Sequence, residues 1–476
     1  MHDLIISGER RPAASGATFQ VTEPATALVF AEVAEAGSAD VEAALAAAHR
    51  AFDDGRGSWA RTNATERGRV LHRVAELLRE REDLFAVAEA RGAGHPIGDA
   101  RWEVGAAAGT FEYYAGAANK HFGSVVPVQD AGLDVVLREP VGPVVLIVPW
   151  NFPLLIACWK VAPALACGNP VILKPASLTP LTALLLGDVL VDAGIPADQV
   201  HVLPGPGRSV GNALVSDPRA SKISFTGETT TGASILKASA DHIARVSLEL
   251  GGKSAAVIFA DADLEAAAAD LPMAVFGNAG QDCCSRSRIL VERSAYEHFV
   301  ELFAAGTDQI AMGDPLDPET AMGPMISAAQ RQTSLDYLEI GSSEGARLVT
   351  GGDVPDGAGY YLAPAVLADV DNTMRLAREE IFGPVAAVIP FDDEDDAIRI
   401  ANDSDYGLSG SLWTGSATRA IRVARSIRTG TLSVNTNRSV RYEAPFGGYK
   451  RSGLGRELGM QAMDSYTEIK NVFFSE

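Results

Sequence analysis

The sequence contains few cysteines and no pattern of metal ligands. Its 476 residues include four cysteines and eight histidines, and neither type is spaced in the pairs that hold structural zinc. We therefore expect reduced thiols and no metal site. Basic residues are outnumbered, with 40 Lys and Arg against 61 Asp and Glu and a formal net charge of −21. Because such a surface repels phosphate backbones and anionic lipids, we expect no nucleic acid and no membrane partner.

Long apolar runs and the usual dinucleotide fingerprint are also missing. No stretch approaches the ~20 apolar residues of a membrane-spanning helix. The start, from Met1 to Gly8, lacks the charged region and apolar core of a secretory signal. These features predict a cytoplasmic protein. The sequence has no Gly-x-Gly-x-x-Gly, so a dinucleotide would need a different strand-to-helix turn.

What the chain does contain is two series of short apolar runs that alternate with helical patterns. At 476 residues it is too long for one core, which predicts two or three domains. Apolar strands joined by helices form parallel sheets, and ligands bind beyond the carboxyl ends of such strands. The first series predicts four strands, at Val144–Val148, Val171–Leu173, Val200–Leu203 and Ile223–Phe225. The second series begins after Gly252 and predicts another α/β domain.

The amino-terminal region predicts a hairpin and two helices. Leu4–Ile6 and Phe19–Val21 flank polar turn residues and predict the two strands of the hairpin. Ser38 is the predicted cap of the first helix, and the second is expected to be capped near Thr65.

A candidate nucleophile, Cys283, lies in the stretch Phe276–Arg288. Gly277 and Gly280 allow a sharp backbone bend before it, and we expect the two arginines after it to favour the reactive thiolate. Two other interpretations stay open: a buried structural cysteine, and a strained disulfide between Cys283 and the adjacent Cys284.

Four further motifs accompany this stretch in a fixed order: Pro149–Pro153, Leu248–Lys253, Glu379–Pro384 and Pro445–Lys450. Together they closely resemble the aldehyde dehydrogenase superfamily over nearly the whole chain. The resemblance implies an α/β fold with a Rossmann-like cofactor domain (residues 1–119 and 140–250) and a catalytic domain (251–450). It also implies an oligomerisation arm, formed by a β-hairpin and a carboxyl-terminal segment (120–139 and 451–476), in a homodimer or homotetramer.

The resemblance also implies the catalytic residues. Cys283 matches the nucleophile that attacks the aldehyde and forms a thiohemiacetal and then a thioester. Asn151 matches the oxyanion donor, although a turn-stabilising Asn is the alternative on sequence alone. Glu249 matches the general base that activates water, and a carboxylate among leucines should have a raised pKa. Its alternative is an ordinary surface glutamate.

The implied cofactor is NAD or NADP. Lys174 matches the adenosine-ribose lysine, and Glu380 with Phe382 matches the nicotinamide-ribose clamp. Ser177 stands where many NAD-preferring members have a glutamate, so the 2′-phosphate of NADP should be tolerated. The complete predicted cofactor set is Pro149, Trp150, Lys174, Ser177, Gly207, Gly211, Phe225, Gly227, Glu228, Gly232, Leu250, Glu380 and Phe382.

The substrate is predicted less directly, from the residues expected near the nucleophile, which are Glu103, Trp159, Asp282 and Cys284. Acidic and aromatic groups together suit a cationic tail, as in the aminoaldehyde and betaine-aldehyde branch. Arg438 or Arg441 could instead hold the carboxylate of succinate semialdehyde, and simple aliphatic or aromatic aldehydes form a third option. A thiol esterase and a non-enzymatic structural protein are the alternatives of another class.

Overall fold

The computed structural model describes residues 1–438 and 440–476. Its strands, in chain order, are β1 Leu4–Ile6, β2 Glu9–Arg11, β3 Thr18–Glu23, β4 Leu28–Ala34, β5 Ser124–Val126, β6 Gly132–Pro140, β7 Val144–Ile147, β8 Val171–Lys174, β9 Val200–Val202, β10 Lys222–Thr226, β11 Arg245–Glu249, β12 Ala255–Ile258, β13 Arg288–Glu292, β14 Arg347–Thr350, β15 Ala365–Ala368, β16 Val385–Phe391, β17 Gly410–Trp413, β18 Ser433–Val434, β19 Gly453–Leu454 and β20 Thr467–Ser475.

The α-helices are α1 Ser38–Phe52, α2 Ser58–Arg61, α3 Ala64–Glu80, α4 Glu82–Ala93, α5 Ile97–Ala117, α6 Pro153–Ala166, α7 Leu181–Asp192, α8 Asn212–Val215, α9 Thr229–Ala238, α10 Leu264–Phe276, α11 Tyr296–Thr307, α12 Ala328–Ser343, α13 Arg375–Arg378, α14 Glu394–Asn402, α15 Ala417–Ser426 and α16 Gln461–Asp464. Among the helices of the described chain, none combines the length and the apolar character needed to cross a bilayer.

The first sheet has the spatial order β19-β11-β10-β7-β8-β9-β1-β2. Its five central strands, β11 to β9 in that order, are parallel. Most of their residues are apolar and nearly all are buried, as expected for strands covered on both faces. The strand order reverses at β7, with β8 on one side and β10 on the other. Ligands of doubly wound folds bind at such a reversal, and the predicted Rossmann-like α/β class is confirmed.

The second sheet has the order β14-β15-β16-β13-β12-β17-β18. It is parallel except for β14, which pairs antiparallel with β15. Buried apolar side chains cover both of its faces. This sheet therefore forms a second α/β layer structure, as the second series of apolar runs predicts.

The arm is a three-stranded sheet with the order β20-β6-β5. The carboxyl-terminal strand β20 pairs along its whole length with β6, so the predicted partnership of hairpin and carboxyl-terminal strand is present. Within the segment 451–476, β19 instead pairs with Leu248 and Glu249 at the edge of the first sheet. The remaining boundaries of the three predicted regions stay predictions.

Two amino-terminal predictions are wrong in detail. The strand β1 pairs with β2, whereas Phe19–Val21 belongs to β3 and pairs with β4. The short hairpin closes locally because a turn at Ser7 and Gly8 already adopts positive φ. The helix α1 is capped by Gly37, and Ser38 is its first residue rather than its cap. The helix α3 is capped close to Thr65, by the Asn63 side chain, which accepts from the Glu66 N–H at 3.0 Å.

Candidate active site

The reversal of strand order places three chain segments at one sheet edge. Pro149, Trp150 and Asn151 follow β7, and Gly227 follows β10. Glu249 ends β11, which lies beside β10 and pairs Thr226 with Glu249. Because these strands are parallel, their carboxyl ends open on the same side. All of these residues line one cavity of about 360 Å³.

The candidate nucleophile approaches this edge from the second sheet, on the loop between α10 and β13. Asn278 and Ala279 have φ values of 52° and 53°, and Gly280 follows at 70°. A Cβ on Gly280 would lie 2.2 Å from the Gly383 carbonyl oxygen, so only glycine fits. Gly277, expected to share the bend, has φ −50°. The turn is therefore made by two non-glycine residues in the left-handed region, which is costly and is maintained by surrounding contacts.

Those contacts come largely from Gln281, which is fully buried. Its side-chain amide donates to the Asn278 carbonyl at 3.1 Å, and its side-chain carbonyl accepts from the Ile326 N–H at 2.9 Å. Its own backbone carbonyl accepts from the Asn151 side chain at 3.0 Å. Asn278 closes the circle by donating to the Asn151 carbonyl at 2.8 Å. The nucleophile turn and the turn after β7 thus hold each other in place.

All four cysteines are free, so the disulfide between Cys283 and Cys284 is not formed. Cys283 is half-buried, whereas the other three are buried. The neighbouring arginines do not bring the pKa of Cys283 below its usual value, because the charge of Arg286, which acts on the thiol, is outweighed. The Arg288 guanidinium donates to the Lys253, Ile400 and Ala401 carbonyls. Contact with Cys284, burial and the Asp282 carboxylate raise the pKa of Cys283 well above its usual value. The thiol is therefore protonated at neutral pH and needs a base.

Asn151 is buried and its side-chain amide carries two N–H donors, of which the Gln281 carbonyl takes one. The backbone N–H of Cys283 has no hydrogen-bond acceptor among the residues that the structure describes. Asn151 and Cys283 line the same cavity. The turn-stabilising role considered for Asn151 is present, and it leaves a donor available for an oxyanion.

Glu249 is only 3% exposed, and neither of its carboxylate oxygens has a hydrogen-bond partner. The surface role considered for this residue is therefore excluded. Burial and the Glu457 carboxylate raise the pKa of Glu249 well above its usual value, against smaller opposing effects of Lys160 and Arg456. A buried carboxylate without partners is costly in a structural role, and this one lines the same cavity as Cys283.

Sequence reasoning missed a buried polar network behind Glu249. The Lys160 ammonium contacts the Glu457 carboxylate and donates to the Ser224 hydroxyl at 3.0 Å. Lys160 is fully buried. It is the one charged residue of α6, whose other side chains are apolar. A lone lysine in such a helix is a usable sequence signal, because lysine is almost never buried unless it is paired.

The cofactor prediction can be tested against the shape and polarity of the 360 Å³ cavity. Glu380 accepts from the Gly252 N–H at 2.9 Å, and a Cβ on Gly251 would lie 1.9 Å from its other oxygen. Burial raises the pKa of Glu380 to about 7. The Phe382 ring meets the Trp150 ring edge-on at 5.3 Å. An aromatic wall with one fixed carboxylate suits a nicotinamide ring and its ribose, so these residues fit the group.

Residues predicted for the other end of the cofactor are distributed around β8, β9 and β10. The Lys174 ammonium donates to the Pro175 carbonyl, and burial lowers its pKa to about 8. Ser177 donates to the Gly205 carbonyl at 3.1 Å. Glu228 is exposed and accepts from the Thr230 hydroxyl at 2.6 Å.

The remaining cofactor candidates are placed as follows: Gly207 and Gly211 begin and end a π-helical turn, Phe225 is buried in β10, and Gly232 in α9 faces the Leu250 side chain. Lining residues that sequence reasoning missed are Thr226, Gly251, Gln330, Thr333 and Ile381.

A second cavity, of about 760 Å³, opens on the other side of Cys283. All four predicted substrate residues line it, namely Glu103, Trp159, Asp282 and Cys284. Asp282 accepts from the Cys284 N–H at 2.8 Å, and the Trp159 ring meets the Phe446 ring at 5.4 Å. Of the two candidate arginines, Arg441 lines this cavity. Lining residues missed by sequence reasoning include His95, Asp99, Trp102, Phe152, Tyr442, Glu443, Phe446 and Leu458.

Comparison with known proteins agrees with this arrangement. Residues 11–472 match the aldehyde dehydrogenase family. A betaine aldehyde dehydrogenase of Cereibacter sphaeroides is 43% identical over 473 residues, which cover 98% of this chain and 96% of that protein. The chain belongs to the aldehyde dehydrogenase family. The predicted family and enzyme class are thereby confirmed.

Solved aldehyde dehydrogenase structures have the same fold. A mutant of the P. syringae indole-3-acetaldehyde dehydrogenase AldA, in complex with NAD+ and IAA, superposes with a TM-score of 0.98 at 39% identity. The match covers all of this chain and 97% of that one. An aldehyde dehydrogenase of Emericella nidulans is 40% identical over 472 residues, covering 99% of this chain and 94% of that protein. The roles of individual residues in this aldehyde dehydrogenase remain predictions.

Proposed function

We propose that this protein oxidises an aldehyde to the free carboxylic acid, with NAD+ or NADP+ as hydride acceptor. The observation that carries the proposal is the position of Cys283, whose side chain lines both cavities. One cavity contains the partnerless carboxylate Glu249 and the Glu380–Phe382 clamp, and the other can hold an aldehyde.

In the first step the Cys283 sulfur attacks the aldehyde carbon, and its proton leaves toward Glu249, which faces the same cavity. Because the pKa of the thiol is raised, a base must accept this proton, and water in the cavity can replace Glu249 in this step. The second amide hydrogen of Asn151 and the Cys283 N–H donate to the oxyanion of the thiohemiacetal. Bound NAD(P)+ supplies an acceptor for the hydride of the thiohemiacetal carbon. A Cys283 thioester remains.

Between the two steps Glu249 releases the thiol proton to solvent. In the second step its carboxylate removes a proton from water, which attacks the thioester carbon. The C–S bond breaks, the acid leaves and Cys283 regains its thiol. The raised pKa of Glu249 suits it to accept a proton near neutral pH. Lys160 and Glu457, which lie behind Glu249, set the field in which its proton is held.

NADP is compatible with this site because Ser177 is neutral. A glutamate at this position, as in many NAD-preferring members of the family, would repel the 2′-phosphate. The nearest predicted carboxylate, Glu228, already accepts a hydrogen bond from Thr230. The similar structure of AldA is in complex with NAD+, which supports the use of NAD by this protein as well. We propose that both cofactors are used.

For the substrate we propose a cationic aminoaldehyde. Apart from Glu103, which contacts His95, three carboxyl groups line the larger cavity, against the single guanidinium of Arg441. Two tryptophan rings, Trp102 and Trp159, line it as well and can take part in cation–π contacts. The matched relative from Cereibacter sphaeroides is a betaine aldehyde dehydrogenase. The competing proposal is a semialdehyde, whose carboxylate would bind Arg441.

The test is reduced-cofactor production with both cofactors and a panel of 4-aminobutanal, betaine aldehyde, succinate semialdehyde, hexanal and benzaldehyde. We expect the cationic aldehydes to have the highest kcat/KM. Asp282→Asn, which retains the acceptor for the Cys284 N–H, should lower kcat/KM for cationic aldehydes relative to hexanal. A lead for succinate semialdehyde that Arg441→Gln removes would replace the amine proposal, and turnover of no aldehyde would refute the reaction itself.

We also propose a homodimer or homotetramer assembled through the arm. Large apolar side chains of its three strands are exposed, including Val125 at 68%, Ile469 at 65% and Phe474 at 55%. Apolar groups concentrated on one small sheet mark an interaction surface. A second copy of the chain is the occupant that the family resemblance indicates.

A further inference from the structure

A buried cluster of Glu89, His95 and Glu103 forms part of the wall of the substrate cavity. Each of the three is 1% exposed. One ligand atom from each lies within 4.8 Å of the others. His95 and Glu103 are the two members that line the cavity. The catalytic steps described above do not use this cluster.

The cluster is fixed to the frame of the site. Glu89, on α4, accepts from the Leu154 N–H at 2.9 Å, in the first turn of α6. That helix begins two residues after Asn151 and carries Trp159. Glu103 lies on α5, and its carboxylate contacts Nδ1 of His95 in the connection between α4 and α5. The His95 ring also packs against Phe152 at 5.4 Å.

Two polar atoms of this cluster have no partner. Nε2 of His95 and Oε2 of Glu103 are both buried and make no hydrogen bond within the part of the chain that the structure describes. Leaving a buried donor or acceptor unpaired is destabilising. The wall around them is largely apolar, with Phe152, Leu155 and Ile156 among its residues. The unpaired atoms therefore mark a position where a ligand can supply what the protein does not.

The two atoms are complementary in kind. Burial alone would lower the pKa of His95, but the charge and hydrogen bond of Glu103 outweigh it and raise the pKa to about 9. At neutral pH His95 is protonated and its Nε2 is a donor, whereas Glu103 Oε2 is an acceptor. Because the two charges offset one another, Glu103 offers little net attraction to a cation.

We propose that His95 Nε2 and Glu103 Oε2 form a subsite for an aldehyde whose chain carries a hydroxyl or primary carboxamide, a group that donates and accepts at once. Such a group can accept from Nε2 of His95 or donate to Oε2 of Glu103, whereas an alkyl chain can do neither. A carboxylate could accept from His95 but would face the Glu103 oxygen. The inference rests on the aldehyde oxidation proposed above and is independent of the cationic preference, which concerns Asp282 and Trp159.

The experiment uses the purified full-length protein and matched pairs of aldehydes. Each pair consists of an alkanal and the ω-hydroxyaldehyde of the same chain length, from four to eight carbon atoms. The ratio of their kcat/KM values is measured at neutral pH. We expect the hydroxyl to be favoured about tenfold or more at one chain length, with smaller ratios at the others, because the two atoms are fixed in the wall.

Two variants assign the preference to the pair. His95→Leu/Glu103→Leu removes both polar groups together, so no charge is left unpaired. It should bring the ratio to about one at every chain length. Glu103→Gln keeps an acceptor and should retain most of the preference. If the double variant does not fold, the wild-type ratios and Glu103→Gln still decide.

Several outcomes would overturn the inference. A wild-type ratio near one at every length excludes the subsite, and a preference that survives in the double variant moves it elsewhere. One equivalent of zinc in the purified protein, with the preference lost on chelation, would make the cluster a metal site instead. Turnover of alkanals with no hydroxyl preference refutes this inference alone, whereas no turnover of any aldehyde refutes the proposed function.

Discussion

Replacing Glu249 by glutamine should separate the two halves of the reaction. The amide has nearly the same shape but cannot accept the proton of the attacking water. We expect the variant to form about one equivalent of reduced cofactor in a rapid first turnover and then to slow by about 10²–10⁴-fold, the usual contribution of a general base. The first turnover itself should slow less, because water can take the thiol proton. Stopped-flow absorbance of the reduced cofactor measures both phases.

The same substitution should change the pH dependence of stability. The folded-state pKa of Glu249 lies above its unfolded value, so the folded protein retains a proton that the unfolded chain has released. The wild type should therefore lose about 1.4 kcal/mol of unfolding free energy per pH unit relative to Glu249→Gln. This loss should begin near about pH 5 and stop at the raised pKa. Urea unfolding at several pH values measures it.

Glu265→Gln, on the exposed face of α10, is the matched control and should match the wild type in both assays. Two results would refute the reasoning. Steady turnover of Glu249→Gln at the wild-type rate would show that another group activates water. A stability difference that does not change with pH would show that Glu249 is ionised in the folded protein as it is in the unfolded chain.

Further predictions concern the nucleophile, the cofactor and the arm. Cys283→Ala should abolish both the first turnover and steady oxidation. The control Cys158→Ala, which changes a thiol buried in α6, should have the kcat of the wild type. Activity in Cys283→Ala would show that another residue is the nucleophile. Ser177→Glu should lower kcat/KM for NADP about tenfold or more relative to NAD, because the new carboxylate repels the 2′-phosphate; Ser177→Ala is its control, and an unchanged ratio would place the 2′-phosphate away from this position. Ile469→Asp/Phe474→Asp should lower the molar mass measured by light scattering, since both side chains are exposed on the arm; an unchanged mass would exclude β20 from the interface.

The sheets could be predicted from sequence because their strands are short, apolar and separated by helices. The predicted strand Val144–Val148, for instance, differs from the observed Val144–Ile147 by one residue. The amino-terminal pairing could not be predicted in the same way. Leu4–Ile6 could pair with β2 or with β3, which both follow it in the chain. It pairs with β2 because a local turn joins the two strands, whereas β3 pairs with β4.

The identities of the catalytic residues came from motifs, but their environments did not. Sequence proximity suggested that Arg286 and Arg288 would activate Cys283. In the fold, carbonyl groups accept from both guanidinium groups. The charge of Arg286 still acts on the thiol, but Cys284, burial and Asp282 outweigh it. Adjacency along a chain does not fix where a long side chain points.

Distant contacts were the least predictable part of the site. The pairing of His95 with Glu103 can be suspected from their spacing of eight residues, but their presence in the cavity of Cys283 depends on how α5 packs beside α6. The Lys160–Glu457 contact joins residues that are 297 positions apart. The signal for this contact in the sequence is that Lys160 is the single charged residue of the apolar helix α6.

The most direct test of the central claim is the mass of the protein after a single reaction with aldehyde and cofactor. Glu249→Gln is mixed with hexanal and NAD+, quenched in acid and digested, and the peptides are identified by mass spectrometry. The account predicts a hexanoyl thioester on the peptide that contains Cys283, in about one equivalent, and none in Cys283→Ala/Glu249→Gln. An acyl group on another residue, or reduced cofactor formed without any acyl-enzyme, would contradict it.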